Sequence, residues 1–275
     1  EKTAEAIRRL APNLRRISAE RIQTELVKLV VSPHPDWIRV AWELGITAVI
    51  LPEIDMIMRQ PQNSSHHSYS VGEHTLVTLR SIPDDKVLRL TMLLHDLGKP
   101  QMARVDENGI IHFRGHAQAS APIAVQILKR LKFDNDTIDQ VQRLVKYHSL
   151  YPEETPEGVR RSIVLIGEDL FAAYLLVKRA DTLGQRPEVQ ADKLAYIDRI
   201  EKLYREILQR GDCLSLKTLA IRGKDLIDDG MRPGKELGEV LGALLEEVLE
   251  EPERNKREYL LKRSRDLRGD RLNCV

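Results

Sequence analysis

The chain has 275 residues, of which 42% are hydrophobic and 31% charged, enough for a substantial core in one large or two smaller units. Its 43 Lys and Arg against 42 Asp and Glu leave a formal charge of +1, which excludes a global basic field, so any nucleic-acid contact must be local. No apolar run approaches the roughly 20 residues of a membrane span, and Cys213 and Cys274 alone cannot build a disulfide framework or thiolate cluster, which points to a reducing cytoplasm.

The chain opens at Glu1 inside a helical pattern without the order of a signal peptide, and is expected to be part of a longer protein. ISAERIQTELVKLV predicts a helix capped at Ser18, with Ile22, Leu26 and Leu29 on one face. Ser32-Pro33-His34-Pro35 breaks it, and a second helix carrying Trp37, Val40, Ala41 and Leu44 ends near Gly45. Residues 1–59 thus form an expected helical neck. QPQNSSHHSYS reads as a loop, and VGEHTLVTLRSI and KVLRLTMLLHDLGK return to helical patterning. QMARV and GIIHF around Asp106-Glu107-Asn108-Gly109 predict one small β-hairpin. Helices are expected over about 115–132, 135–148, 158–182 and 190–209, then a Gly- and Asp-rich segment and two terminal helices. There is no fixed-period repeat. The expected fold is mostly α with one hairpin, divided as 1–59, 60–185 and 186–275.

All eight histidines fall between His34 and His148. His148 continues the apolar stripe of Ile138, Val141, Leu144 and Val145, His116 aligns with Ser120, Ile123, Ile127 and Leu131, and His95 follows Leu88 and Met92. Asp181 lies one turn past Val177 and two past Tyr174. One such histidine alone is usually a satisfied core residue. Several imidazoles and carboxylates buried together without partners would cost several kcal/mol, and a divalent metal at their meeting point satisfies them at once.

EHT, LLHDLGKP, FRGH, KYH and RAD, in that order, resemble the HD superfamily of metal-dependent phosphohydrolases. The resemblance implies an HD-type helical bundle in which His74, His95, Asp96 and Asp181 hold one metal, with His116 and His148 completing a second site bridged by Asp96. The donor set suits Fe, Mn, Zn, Co or Mg. The chemistry implied is hydrolysis of a phosphomonoester or cyclic phosphodiester in a nucleotide or RNA end, with Asp96 and Lys99 as catalytic residues. Lys99 reads equally as a solvated lysine at a helix C-terminus. Arg114, His66 and His67 are expected at the rim.

A longer resemblance runs through the neck, LPE, the HD pieces and LAIRGKDLIDDGMRPGKELGEVLGALLEEVLEEPERN. It is similar to the C-terminal portion of bacterial CCA-adding enzymes and poly(A) polymerases. The sequence has no Gly-Ser turn followed by an Asp-x-Asp pair, the signature of their nucleotidyltransferase head, so the fragment alone is not expected to add nucleotides. An upstream nucleotidyltransferase domain and tRNA, or another RNA 3′ end, are then the implied partners. Lys217, Arg222, Lys224, Lys235, Arg254, Lys256 and Arg257 are candidate phosphate contacts, although neighbouring glutamates suit an ordinary solvated face. Three functions are open: an HD phosphohydrolase, first; an RNA-holding body with the HD region as a metal-stabilised scaffold; and nucleotide binding without turnover.

Overall fold

The computed structural model describes residues 1–62 and 70–272. His66, His67 and Cys274 lie outside them. The described chain is mostly helical, with one two-stranded antiparallel sheet pairing Arg104 with His112 and Val105 with Ile111. Asp106 closes that hairpin by accepting from the N–H groups of Asn108 and Ile110, and Gly109 supplies the positive φ of the turn.

The chain folds as two compact units, Glu1–Leu150 with Leu170–Ile197, and Tyr151–Asp169 with Asp198–Val275. The expected boundaries at 59 and 185 do not coincide with them: the neck residues pack into the first unit, and residues 151–169 belong to the second. The crossing explains why the helix expected over 158–182 is two, Pro156–Ile166 and Phe171–Leu183. Gly167, at φ +109°, takes a conformation that L side chains rarely adopt and ends the first of them.

In the first unit the second neck helix is shorter than its pattern. Pro35–Trp37 forms a 3₁₀ turn, followed by helices Ile38–Glu43, Thr47–Ile50 and Pro52–Met58. Val30, Ile38, Leu51, Ile54 and Ile57 are among the buried residues of this region, and the Arg89 guanidinium satisfies the Val30 and Pro83 carbonyls. The central helices are Val71–Ser81, Lys86–Leu94, His116–Arg130, Asn135–Tyr147 and Phe171–Leu183. Ser70, Asp85 and Asp134 cap three of them by accepting from first-turn N–H groups.

In the second unit Val159, Ile163, Leu226, Val240, Leu244, Val248 and Leu260 form the core. Arg160 is a buried latch: it donates to the carbonyls of Leu249 (2.7 Å) and Glu250 (3.0 Å), the last turn of helix Lys235–Glu250, and to Asp212 Oδ2 (3.1 Å). A cation at a helix C-terminus also suits the backbone dipole. Asp229 ties Arg265 and Arg268, and the Asn255 side chain bridges Thr218 and Ala220.

Candidate metal centre

Five elements of the first unit bring the expected ligands together. His74 projects from helix Val71–Ser81, and His95 caps the C-terminus of Lys86–Leu94. Asp96 stands in the turn that follows, so Lys99, expected on the same helix, begins a separate short helix, Lys99–Met102. His116 opens His116–Arg130 after Gly115 (φ +80°), and His148 ends Asn135–Tyr147. Asp181 comes from Phe171–Leu183.

Each histidine is aimed by a backbone carbonyl. The Nδ1–H groups of His74, His95, His116 and His148 donate to the carbonyls of Gly184 (3.0 Å), Met92 (2.7 Å), Phe113 (2.8 Å) and Val145 (2.7 Å). Their Nε2 lone pairs therefore point into the cluster, the arrangement by which an outer partner fixes tautomer and orientation in metal-ligating histidines. The Nε2 atoms of His74 and His95 are 3.2 Å apart, and those of His116 and His148 3.0 Å. Facing lone pairs at such distances repel unless a proton or a metal cation lies between them.

Asp96 joins the two pairs. Its Oδ2 is 3.2 Å from His95 Nε2 and 3.6 Å from His74 Nε2, and its Oδ1 is 3.4 Å from His116 Nε2 and 3.8 Å from His148 Nε2. His74, His95 and Asp96 thus form one group with all ligand atoms within 4.8 Å of one another, and Asp96, His116 and His148 form another. Asp181 Oδ1 adds to the first, 3.0 Å from His74 Nε2 and 3.8 Å from His95 Nε2. Asp96 is 1% exposed and neither oxygen has a hydrogen-bond partner among the described residues. Lys99 Nζ approaches Oδ2 at 2.6 Å as an ion pair without hydrogen-bond geometry, and donates instead to Gln62 Oε1 (3.0 Å). Two orphaned carboxylate oxygens between inward-facing imidazoles fit a divalent cation of borderline hardness.

The charge balance agrees. Burial pushes the Asp96 carboxyl up, but His95, Lys99 and His116 more than offset it and hold the group well below the usual carboxylate range. Asp181 is held well below that range in the same way, against burial, by His74 and His95. Burial holds His148 well below the ordinary imidazole value, helped by His95 and His116, and lowers His116. His95 is raised: burial opposes its charge, and Asp96 and Asp181 overcome that.

Three contributors escape sequence reasoning. Gly184, 110 residues from His74, orients that ring, and Gln62 holds Lys99 from 37 residues away. Lys178 is 2% exposed, its ammonium pushed down to about 8 by burial against the attraction of Asp181. Its i,i+3 spacing to Asp181 is the one signal the sequence carried. Arg114 is exposed.

The second unit uses several of the candidate phosphate contacts itself. Arg254 pairs with Glu251 (2.7 Å), Arg257 with Asp225, and Lys235 with Glu239 (3.7 Å). Lys217, Lys224 and Lys256 are exposed and make no ion pair among the described residues, and Arg222 is exposed at the start of helix Gly223–Asp228.

Fold and site together define a mostly helical protein built around a buried histidine–aspartate centre. Residues 110–263, over half the chain, match the family model described as tRNA nucleotidyltransferase domain 2, and the chain belongs to that family. Residues 1–58 match a model described as "Probable RNA and SrmB- binding site of polymerase A". Similar proteins include the CC-adding tRNA nucleotidyltransferase of Thermus thermophilus, 31% identical over 82% of this chain and 52% of its own length. The A-adding tRNA nucleotidyltransferase of Deinococcus radiodurans is 30% identical over 89% of this chain and 58% of its length. The multifunctional CCA protein of an Azoarcus species is 31% identical over 62% and 44%. The chain spans little more than half the length of the first two relatives.

These relatives correct the first functional expectation. The first two are named as tRNA nucleotidyltransferases and the family model as a tRNA nucleotidyltransferase domain, so the assignment of this chain as an HD-type hydrolase is withdrawn, and a phosphorylated nucleotide as its substrate has no support from them. A His-Asp ligand order does not by itself specify turnover. No helix of the described residues is long and apolar enough to cross a membrane.

Proposed function

We propose that this chain is the RNA-holding body of a cytoplasmic tRNA nucleotidyltransferase, acting on tRNA together with a nucleotidyl-transferring domain. The observation that carries the reading is the family match over residues 110–263, preceded by the RNA-binding-site match over 1–58. In it, the histidine–aspartate cluster is a structural metal centre. His74, His95, Asp96 and Asp181 would hold one divalent ion, and Asp96, His116 and His148 a second. Such ions supply positive charge that neutralises the buried carboxylates and ties five elements of the first unit together. Lys99 shares that neutralisation at Asp96. Of the tail cations, Lys217, Arg222, Lys224 and Lys256 are the ones available to RNA phosphates.

The test is tRNA binding to the purified chain across a salt series. The expected result is measurable affinity at low salt that falls linearly on a log–log plot, the signature of counterion release from phosphates. No affinity at low salt would overturn the reading.

A further inference from the structure

Trp37 is 58% exposed and is stacked on a second ring. It belongs to the first unit, at the end of the Pro35–Trp37 turn, where its indole lies over the exposed His34 imidazole with ring centroids 5.3 Å apart and planes 19° from parallel. The pair is rigidly mounted. Pro35 is buried and fixes the backbone between the rings, the Trp37 N–H donates to the His34 carbonyl (3.1 Å), and the His34 N–H donates to Ser32 Oγ (3.1 Å). Val40, one turn on, is 43% exposed and extends the apolar face.

Two arginines belong to this surface: Arg39, two residues past the indole, and Arg80, from helix Val71–Ser81, which reaches Asp36 beside it. Arg80, 61% exposed, reaches Asp36 only at 3.5 Å, a contact of little energy that it can exchange for a phosphate. Arg39 is 41% exposed and pairs with Glu73 at 2.5 Å. The chemistry of the patch is a flat, preordered π-surface with a loosely held guanidinium at its edge. Double helices hide their base faces; unpaired RNA bases present them, and stack on such surfaces while arginines meet the backbone.

We infer that His34 and Trp37 form a stacking platform for an unpaired nucleobase of bound RNA, with Arg80 meeting the adjacent phosphate. This rests on the RNA-holding reading above and adds to it a site and a ligand feature: a single-stranded base.

The probe is a hairpin RNA with a short single-stranded adenylate extension, compared with the same hairpin blunt-ended, in the wild-type chain and in Trp37→Ala and Trp37→Phe. Stacking on an aromatic side chain is worth ~1–3 kcal/mol per base, so Trp37→Ala should weaken the extended hairpin by roughly 5- to 150-fold. The blunt hairpin should be unaffected, and Trp37→Phe should keep most of the affinity. In a Trp42→Phe background Trp37 is the sole indole, and its emission should be quenched by the extended probe alone. If wild type binds both hairpins and Trp37→Ala changes neither, the platform is wrong while the RNA-holding reading stands. If wild type binds no RNA, both fail. An equal loss on both hairpins would assign Trp37 to duplex or protein contact and overturn the inference.

Discussion

Gly184→Ala probes the centre without removing a ligand. Gly184 has φ −80° and ψ 0°, which alanine adopts without strain, so the consequence is purely steric. An added Cβ would lie 2.6 Å from His74 Nδ1, 2.7 Å from Thr78 Cγ2 and 2.8 Å from His74 Cε1, where ordinary contact begins at 3.4 Å. The His74 ring must therefore retreat by most of an ångström, but it is 0% exposed and its Nε2 is already 3.0 Å from Asp181. Overpacking of this kind costs about 1–3 kcal/mol. Disturbing the carbonyl that orients a ligating histidine lowers metal affinity by about 10- to 100-fold. The assay is metal affinity by chelator competition with thermal unfolding alongside, and Gly242→Ala, where an added Cβ meets nothing within 4 Å, is the control. An unchanged metal affinity and midpoint in Gly184→Ala would refute the placement of His74 as an oriented ligand.

Asp96→Asn, which weakens the one side chain facing both ligand groups, should reduce bound divalent metal, read by elemental analysis; wild-type content would remove Asp96 from the centre. Chelation of the wild type should lower its midpoint, since an ion present at 100-fold its dissociation constant contributes about 2.7 kcal/mol. Arg160→Met strands two carbonyls of the Lys235–Glu250 helix and should destabilise the second unit by about 3 kcal/mol in urea unfolding; a loss under about 1 kcal/mol would show the latch to be idle. Asp134 is held at about 2 by the Thr137 N–H and hydroxyl. Its folded value lies below its unfolded one of about 3.9, so its contribution of about 1 kcal/mol is present above that pH and lost as pH falls through about 2. Asp134→Ala should flatten stability over that window, and an unaltered profile would deny the cap its role.

Much of the histidine–aspartate cluster could be read from the sequence because most of its side chains sit on, or at the ends of, strongly periodic helices. His148 and His95 extend apolar stripes, and such a stripe dictates which way a side chain faces before any tertiary contact is known. What was hidden depends on distance along the chain. The Gly184 carbonyl and the Gln62 amide reach the site only after the first unit closes, and neither residue type announces a partner. The continuous helix expected over 158–182 failed for a related reason: apolar spacing persists across Gly167, and one backbone torsion sends the chain into the other unit. The basic tail misled in the opposite direction. Arg254 and Arg257 count as cations in sequence but are consumed by Glu251 and Asp225 once folded. The hydrolase expectation erred at a different link: a His-Asp ligand order was taken to imply hydrolysis, whereas the family model and the first two relatives are named for tRNA nucleotidyl transfer.

The most direct test of the account is competition binding with labelled tRNA held by the metal-loaded chain. The account predicts that unlabelled tRNA displaces the label while double-stranded DNA of equal length and charge does so only at far higher concentration. Equal displacement by the DNA, or no tRNA binding to displace, would contradict it.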